Sequence, residues 1–509
     1  MYDKTIKSVF AWLTLVAAYL FWRFFPVSDA PLGGFVLVVI FFIITTVISK
    51  INGARLTTVP ILVGISAIII SASLIICSNS FMYFLAYSYV IGAYCYFVFA
   101  VNGNVTKKGF NDLILVDYIK SLFILPFCSF GCLFKGLFSR RNRKNGKAIL
   151  KILLGIGIAL IPTGIVISLL SYDENFTTIL NRVFCFHFTF SDIFKIIMRL
   201  SLAIPTAMYV YGLFISAVDN KCANVLTEET CNKVSQKVKL LPAVTTLTAV
   251  IPLFFIYTIF FISQWDYYIS GFTGILPDGL SYAQYAREGF FQLCAVSVIN
   301  LIIIVIAMIF MQQKNAFGKG LLKAISVTYS IITLILISTA LSKMLMYIDY
   351  YGLTQKRVYS SWFMIVLAII FILIIIRQFV PAFQIVAGSF AVCIAMFATL
   401  SIVNVDTLIA RYNVNCYLDG RLDDIDIDAL IELGDSSVPE LVNLAETLKE
   451  RKESDTASLK DGRVYREVVK QLEAIAHLYN DEDKALYTYT IPYIKAEKAM
   501  KEVNYGLTN

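Results

Sequence analysis

Five polar side chains between residues 281 and 300 interrupt an otherwise apolar stretch and could act together chemically. Their offsets from the first are 4, 7, 11 and 19 residues, which places them near one face of a helix. They are Ser281, Tyr285, Glu288, Gln292 and Asn300. Such a face cannot lie against lipid cheaply, so it faces other helices or a water-filled cavity. Interhelical hydrogen bonding and a ligand site both remain open as interpretations.

A second polar group lies where the next long apolar stretch ends. It has a lysine and two tyrosines on one helical face, a glycine suited to end the helix, and a threonine and an arginine beyond. These residues are Lys343, Tyr347, Tyr350, Gly352, Thr354 and Arg357. Its positive charges are expected near the negative charges of Glu288 and Asp349. Paired charges would lock helices together, whereas partly unpaired cations would attract an anionic headgroup, phosphate or carboxylate.

Membrane-spanning helices must position these groups. The chain has 509 residues, of which 58% are hydrophobic and 15% charged, and this composition excludes a single water-soluble core. About 20 mostly apolar residues cross the hydrocarbon core of a bilayer, which is roughly 30 Å thick. The stretches that qualify lie near 8–25, 32–49, 58–77, 80–101, 148–170, 193–216, 242–263, 288–311, 324–347, 359–379 and 384–405. The sequence therefore predicts an all-α, polytopic membrane bundle of about eleven transmembrane helices.

The stretch from residue 113 to residue 134 is also long enough to span a membrane. It contains Asp117, Lys120 and Pro126, and it runs directly into a basic cluster at 135–147. We interpret it as an interfacial or re-entrant segment, with a twelfth span as the alternative.

The chain changes character after residue 405. The last 104 residues carry 13 Lys and Arg but 21 Asp and Glu, whereas the preceding 405 carry 30 and 14. This predicts two domains, a transmembrane domain at 1–405 and a small soluble helical domain at 406–509. The second domain, here called the tail, is expected to contain four or five helices. Their start signals are Ser436 or Ser437 before Pro439, Asp461 before an apolar run, and Pro492 near the last helix.

The distribution of Lys and Arg predicts the orientation of the bundle. If the N-terminus is cytoplasmic, 22 of the 30 Lys and Arg residues before position 406 fall in inner loops. The basic cluster at 135–147 is interpreted as a topogenic loop rather than a site for anionic lipid, and no nucleic-acid partner is expected. With an odd number of spans, the tail is then extracytoplasmic.

The sequence offers few groups for metal or covalent chemistry. Most of the ten cysteines lie within predicted spans, and the two histidines, His187 and His477, are far apart. An aspartate cluster in the tail lacks the Gly and Glu positions of an EF-hand and fits acids at a helix N-terminus better. We therefore expect no metal site and no cofactor. Enzymatic activity is left uncertain, and the absence of a nucleotide loop or nucleophile motif leans against it.

Four segments resemble a family of bacterial multispanning membrane proteins of unassigned function. They are YAQYAREGFFQL (282–293), YGLTQKRVY (351–359), NVDTLIARYN (404–413) and LGDSSVPELV (433–442). The resemblance covers roughly the C-terminal half and brings no established chemistry. It implies a set of motif positions: Tyr282, Tyr285, Arg287, Glu288, Gly352, Thr354 and Arg357. Asp349, which lies outside these segments, is added to Tyr282, Arg287, Gly352 and Thr354 as a structural position beside the candidate ligand site.

We expect transport or small-molecule handling through an outward-facing polar cavity of a protein in the bacterial cytoplasmic membrane. The candidate ligand-binding residues are Tyr285, Glu288, Gln292, Lys343 and Arg357. Pro162, Pro205 and Pro252 favour kinks near the middle of three spans, which suits a cavity. The expected partners are the lipid bilayer and an extracytoplasmic protein bound by the tail. Two alternatives remain open: an envelope sensor or assembly protein, and a membrane enzyme that acts on a lipid-linked substrate with Glu288 as acid or base.

Overall fold

Helices account for nearly all regular structure in the part of the chain that the structure describes. The structure is a computed structural model and describes residues 4–24, 30–138, 166, 190–221, 225–263, 282–313, 315–454, 458–479 and 485–504. Within these residues the only β-type pairing is an isolated bridge between Leu241 and Met311.

The helices before residue 405 run in chain order as follows. They are α1 (Lys4–Phe24), α2 (Pro31–Ile51), α3 (Thr58–Ser71), α4 (Ser73–Ile76), α5 (Ser80–Val101), α6 (Ile114–Ile119), α7 (Leu125–Cys128), α8 (Cys132–Leu137), α9 (Phe190–Val218), α10 (Glu228–Val238), α11 (Ala243–Ser263), α12 (Tyr282–Phe310), α13 (Ala316–Tyr351), α14 (Gln355–Phe379) and α15 (Ile385–Ile402). The tail contains α16 (Val405–Leu418), α17 (Ile427–Ile431), α18 (Val438–Glu453), α19 (Leu459–Ile475) and α20 (Ile491–Asn504).

Ten helical stretches of the described residues are long and apolar enough to cross a membrane. Each of them overlaps one of the predicted spans, with α3 and α4 together forming the third. The predicted span at 148–170, Pro162 and most of the basic cluster at 135–147 lie outside the described residues. The prediction of an all-α polytopic membrane bundle is confirmed. Helix α13 has 36 residues and is about 54 Å long, so it extends beyond the hydrocarbon core.

Contacts divide the chain into two compact units. The first comprises Met1–Ile68, Ser88–Val105 and Val116–Val225, and the second comprises Ile69–Tyr87, Thr106–Leu115 and Leu226–Asn509. These units follow packing, whereas the expected boundary at residue 405 follows charge, and that boundary stays a prediction.

Aromatic side chains fill the interior of the first unit. The rings of Phe10 and Phe214 have centroids 4.3 Å apart, and Phe42 packs edge-on against Tyr94 at 5.3 Å. The Tyr94 hydroxyl also shares a hydrogen bond of 3.0 Å with Thr45. Edge-on and tilted pairs of this kind are the favoured arrangements of aromatic rings.

The segment expected to be interfacial or re-entrant belongs to the first unit from Val116 onward and is interrupted twice. A π-helical turn at Lys120–Ile124 separates α6 from α7, and a non-helical turn separates α7 from α8. From α6 to α7 the segment rises about 22 Å, less than the roughly 30 Å of a hydrocarbon core. Pro126 has no N–H for the carbonyl of Leu122, and the Tyr209 hydroxyl donates to that carbonyl at 2.6 Å instead.

Helix ends meet at two opposite ends of the second unit. At the first, called the Asp406 end, residues 76–80, 352–359 and 402–407 come together; Asn79, for example, donates to the Tyr359 hydroxyl at 3.3 Å. At the second, called the Asp112 end, residues 107–112, 228–241, 311–316 and 379–387 come together. There the Asp112 carboxylate accepts from the backbone N–H of Val386 at 2.8 Å and so caps the start of α15.

The tail packs around an apolar core that includes span residues. Cys77, Met82 and Leu400 belong to the same buried cluster as the inner faces of α16, α18, α19 and α20. Helix α18 begins after Ser437 with Pro439 in its first turn, as predicted. The expected start of α19 was wrong: Ser458 is the N-cap, and Asp461 completes the capping box from inside the first turn.

Candidate functional site

The polar face predicted from residues 281–300 lies on α12. The structure describes the side chains of two of its members, Gln292 and Asn300. Ser281 lies outside the described residues, as do the side chains of Tyr282, Tyr285, Arg287 and Glu288, whose backbone forms the first turns of the helix. Gln292 occupies an exposed position. Asn300 is fully buried.

Asn300 joins three helices through its side chain. Its oxygen accepts from the Tyr257 hydroxyl of α11, and its amide donates to the Thr333 hydroxyl of α13 at 2.9 Å. Nearby, the Tyr329 hydroxyl of α13 donates to the carbonyl of Val250 in α11 at 2.8 Å. At this depth the polar groups hold helices together, because both functional groups of the Asn300 side chain have partners.

Further buried hydroxyls continue along α13. Ser326, Ser330 and Thr333 are separated by four and three residues, which places them on one face of the helix. All three are fully buried. Within the described residues, the hydroxyls of Ser326 and Ser330 have no hydrogen-bond partner. Buried polar groups normally have partners, so these two hydroxyls are suited to contact water or a passing solute.

Lys343 lies on the same helix nearer its C-terminal end and is only 7% exposed. A lysine buried within a membrane-spanning helix is costly and is a functional candidate by default. Seventeen residues separate it from Ser326, a rise of about 26 Å along the helix axis. Ser326, Ser330 and Thr333 span about 10 Å of the helix, and Lys343 lies about 15 Å beyond Thr333 on a different face of α13. We call this set of buried polar groups of α11, α12 and α13 the polar line, and its members are Ser326, Ser330, Thr333, Lys343, Asn300 and Tyr257.

Arg357 organises the turn between α13 and α14. Its guanidinium donates to the backbone carbonyls of Tyr351 and Gly352, and it lies 4.0 Å from the ring centroid of Tyr347. Gly352 ends α13 with a φ of +75°, a conformation that favours glycine, as the sequence predicted. Asp349 is exposed. The structure thus brings Arg357 to the helix end, where its other N–H groups form no hydrogen bond with the residues that the structure describes.

The same turn is fastened to the tail. The Asn413 side chain accepts from the backbone N–H of Leu353 at 2.7 Å and donates to its carbonyl at 2.9 Å. Thr354 is the N-cap residue of α14 and forms no side-chain capping bond. Two of the segments that carry the family resemblance, 351–359 and 404–413, therefore contact each other directly.

Asp406 lies at the centre of a buried polar cluster that sequence reasoning missed. Its carboxylate accepts from the Gln355 amide at 2.8 Å and from Asn79. Asn404 donates to the carbonyl of Ile76 at 2.8 Å and to the Ser436 hydroxyl at 3.2 Å. The cluster joins the tail to three turns at the Asp406 end.

Electrostatics at this cluster follow from burial. Burial raises the pKa of Asp406, and the amide hydrogen bonds from Gln355 and Asn79 counteract part of that rise.

Membrane-spanning helices that enclose buried polar groups, and whose ends are joined by polar turns, define a multi-pass membrane protein. The chain belongs to the family described as Domain of unknown function (DUF4153), whose model matches residues 64–444. All four resemblance segments lie within the match, which also reaches back into α3. The match therefore extends further towards the N-terminus than the C-terminal half. No curated protein and no solved structure matches the chain.

Proposed function

We propose that this protein transports a small polar solute across the membrane, or handles one within it, along the polar line. The observation that carries the proposal is the set of buried polar side chains in membrane-spanning helices, above all Ser326, Ser330 and Lys343 on α13. Hydroxyls without protein partners in the described residues, at Ser326 and Ser330, add support.

The charge of the polar line favours an anionic solute. Lys343 is a cation buried in a membrane-spanning helix, and Arg357 adds a second cation at the end of the same helix. Tyr285, Glu288 and Gln292 on α12 complete the proposed site at the mouth. A phosphate or carboxylate group would provide the charge-assisted hydrogen bonds that such cations make.

The proposed orientation has the N-terminus in the cytoplasm and the tail outside, in a bacterial cytoplasmic membrane. It rests on the excess of Lys and Arg in the predicted inner loops. Contacts at the two ends of the second unit are compatible with the predicted order of spans. The turns that meet at the Asp406 end are all expected on the outer side, and those that meet at the Asp112 end are all expected on the inner side. In this orientation the Asp406 end is extracytoplasmic and the Asp112 end is cytoplasmic.

Uptake into proteoliposomes tests the proposed function. The purified full-length protein would be reconstituted and offered labelled inorganic phosphate, acetate, lactate and glutamate. We expect at least one of these anions to enter faster than it enters protein-free liposomes. Lys343→Met should lower that rate about tenfold or more, since losing a charge-assisted hydrogen bond costs about 1.5–3 kcal/mol.

Lys356→Met provides the matched control. Lys356 is an exposed lysine at the start of α14, so its loss removes the same charge without altering the polar line. The proposal predicts normal uptake for this control. It is contradicted if no anion enters above background, or if the two lysine variants behave alike.

A sensor or assembly role is a second candidate, favoured by the bonds that fasten the tail to the turns of the Asp406 end. Deleting residues 415–509 would open the apolar core that includes Cys77 and Leu400, so truncation does not test this role cleanly. Ser436→Ala removes one hydroxyl from the junction and leaves that core intact. If the protein is a sensor, Ser436→Ala abolishes its cellular response. If it is a transporter, Ser436→Ala leaves anion uptake unchanged.

A further inference from the structure

Helix α10 lies at the Asp112 end, five residues before the candidate membrane-spanning helix α11. None of its residues is buried. The segment that follows it is held by backbone bonds at the end of α12: Leu241 donates to the carbonyl of Phe310 at 3.0 Å, and Gln312 donates to the carbonyl of Leu241 at 2.9 Å. Two residues later α11 enters the membrane. The helix therefore sits at the level where two spans meet the headgroup region.

One side of α10 is apolar and is not covered by the described protein. Cys231, Val234 and Val238 are three and four residues apart, which places them on one face. Val234 is 49% exposed, and Leu240 just beyond the helix is 69% exposed. Val244, at the start of the candidate membrane-spanning helix α11, is also exposed.

The acidic residues of α10 are already paired, which leaves an excess of positive charge. Glu228 accepts from Lys107 at 2.8 Å, and Glu229 pairs with Lys233 at 2.6 Å. Lys237 and Lys239 form no ion pair with any residue that the structure describes. Together, the apolar strip and the excess charge are typical of a helix that lies in an anionic membrane interface.

We propose that α10 and its C-terminal extension bind the headgroups of anionic phospholipids. Lys237 and Lys239 contact the lipid phosphate, while Val234 and Leu240 insert beside the acyl chains. We call the surface formed by these two lysines and two apolar residues the basic surface. Charge complementarity and continuity with the exposed start of α11 both favour lipid as the occupant.

The chain has four native tryptophans, so the quenching of the Leu240→Trp protein minus that of the parent protein measures lipid preference at the basic surface. Full-length protein carrying Leu240→Trp would be placed in bilayers that contain brominated phosphatidylglycerol or brominated phosphatidylcholine. Each cation near an anionic surface contributes about 1 kcal/mol, which is about fivefold in binding. With both lysines present, we expect about 30-fold preference for phosphatidylglycerol over phosphatidylcholine at this site. The preference should fall to about fivefold in Lys237→Gln and should disappear in the double variant Lys237→Gln with Lys239→Gln.

A matched control and a salt titration complete the test. Lys452 and Lys470 are exposed residues of the tail, and changing both to Gln removes the same charge without touching the basic surface. The preference should survive in this control and should fall at about 1 M salt, where the screening length is about 3 Å. The proposal is overturned if the control loses the preference as well, if salt has no effect, or if the Leu240→Trp protein shows no preference at all.

Discussion

Replacing Asp406 separates the cost of its buried charge from the value of its hydrogen bonds. Asp406→Ala leaves the amide donors of Gln355 and Asn79 without their carboxylate acceptor. Asn79 still donates to the Tyr359 hydroxyl, so the Gln355 amide is the donor left unsatisfied, and we expect a loss of about 1–3 kcal/mol in the free energy of unfolding. Asp406→Asn keeps the shape and one carbonyl oxygen, and it cannot ionise.

The pH dependence gives the sign of the charge effect. Because burial raises the pKa of Asp406, the folded protein binds this proton more tightly than the unfolded chain does. The stabilisation is complete below the ordinary pKa of an aspartate, about 3.9, and is lost as the pH rises through the raised pKa. Relative to the wild type, Asp406→Asn should therefore gain stability as the pH rises from about 4 to about 8.

Thermal unfolding of the purified protein across this pH range provides the assay. Groups common to both proteins cancel in the difference between Asp406→Asn and the wild type. Asp423→Asn, at an exposed position of the tail, gives the baseline for removing one negative charge. A difference that is independent of pH, or an Asn variant that loses stability as the pH rises, would refute the reasoning.

Three further variants test local contacts by thermal unfolding. Asn413→Ala removes two backbone hydrogen bonds to the turn after α13 and should cost about 2 kcal/mol, whereas Asn413→Asp keeps the acceptor and should cost less. Gly352→Ala should cost about 1–2 kcal/mol, because φ is +75° and the new Cβ would lie 2.5 Å from the Asn413 oxygen. The cost should shrink in the Asn413→Ala background. Tyr209→Phe should cost about 1–2 kcal/mol, and less in a Pro126→Ala background that restores the missing N–H. Equal costs in both backgrounds would contradict this explanation.

The spans could be predicted because each is a local run of apolar residues. The helix end at Gly352 and the start of α18 were equally local, since each depends on a single residue type at a fixed position. Helix α10 carried a weaker signal, Thr227 before two glutamates. The Thr227 side chain does accept from the Thr230 N–H, but no helix was predicted between the spans at 193–216 and 242–263.

The Asp406 cluster could not be predicted from spacing. Its members come from turns near residues 79, 355 and 406, which are separated by up to several hundred positions, and apolar periodicity does not report which turns meet. The two resemblance segments at 351–359 and 404–413 were the available signal, because each supplies a member. Charge composition had a similar limit: it marked the tail as acidic but could not show that the tail shares a core with Met82 and Leu400.

Water access to the polar line tests the central claim most directly. Ser330→Cys places a thiol at a buried position of the line, and Ile331→Cys places one at the next position, which is 48% exposed on the outside of the bundle. A charged methanethiosulfonate reagent reacts with thiolate in water and does not enter lipid. We predict that, above the labelling of the parent protein, Ser330→Cys in bilayers reacts with this reagent and Ile331→Cys does not. If Ser330→Cys reacts no faster than Ile331→Cys, the polar line is packing alone and the proposed function is wrong.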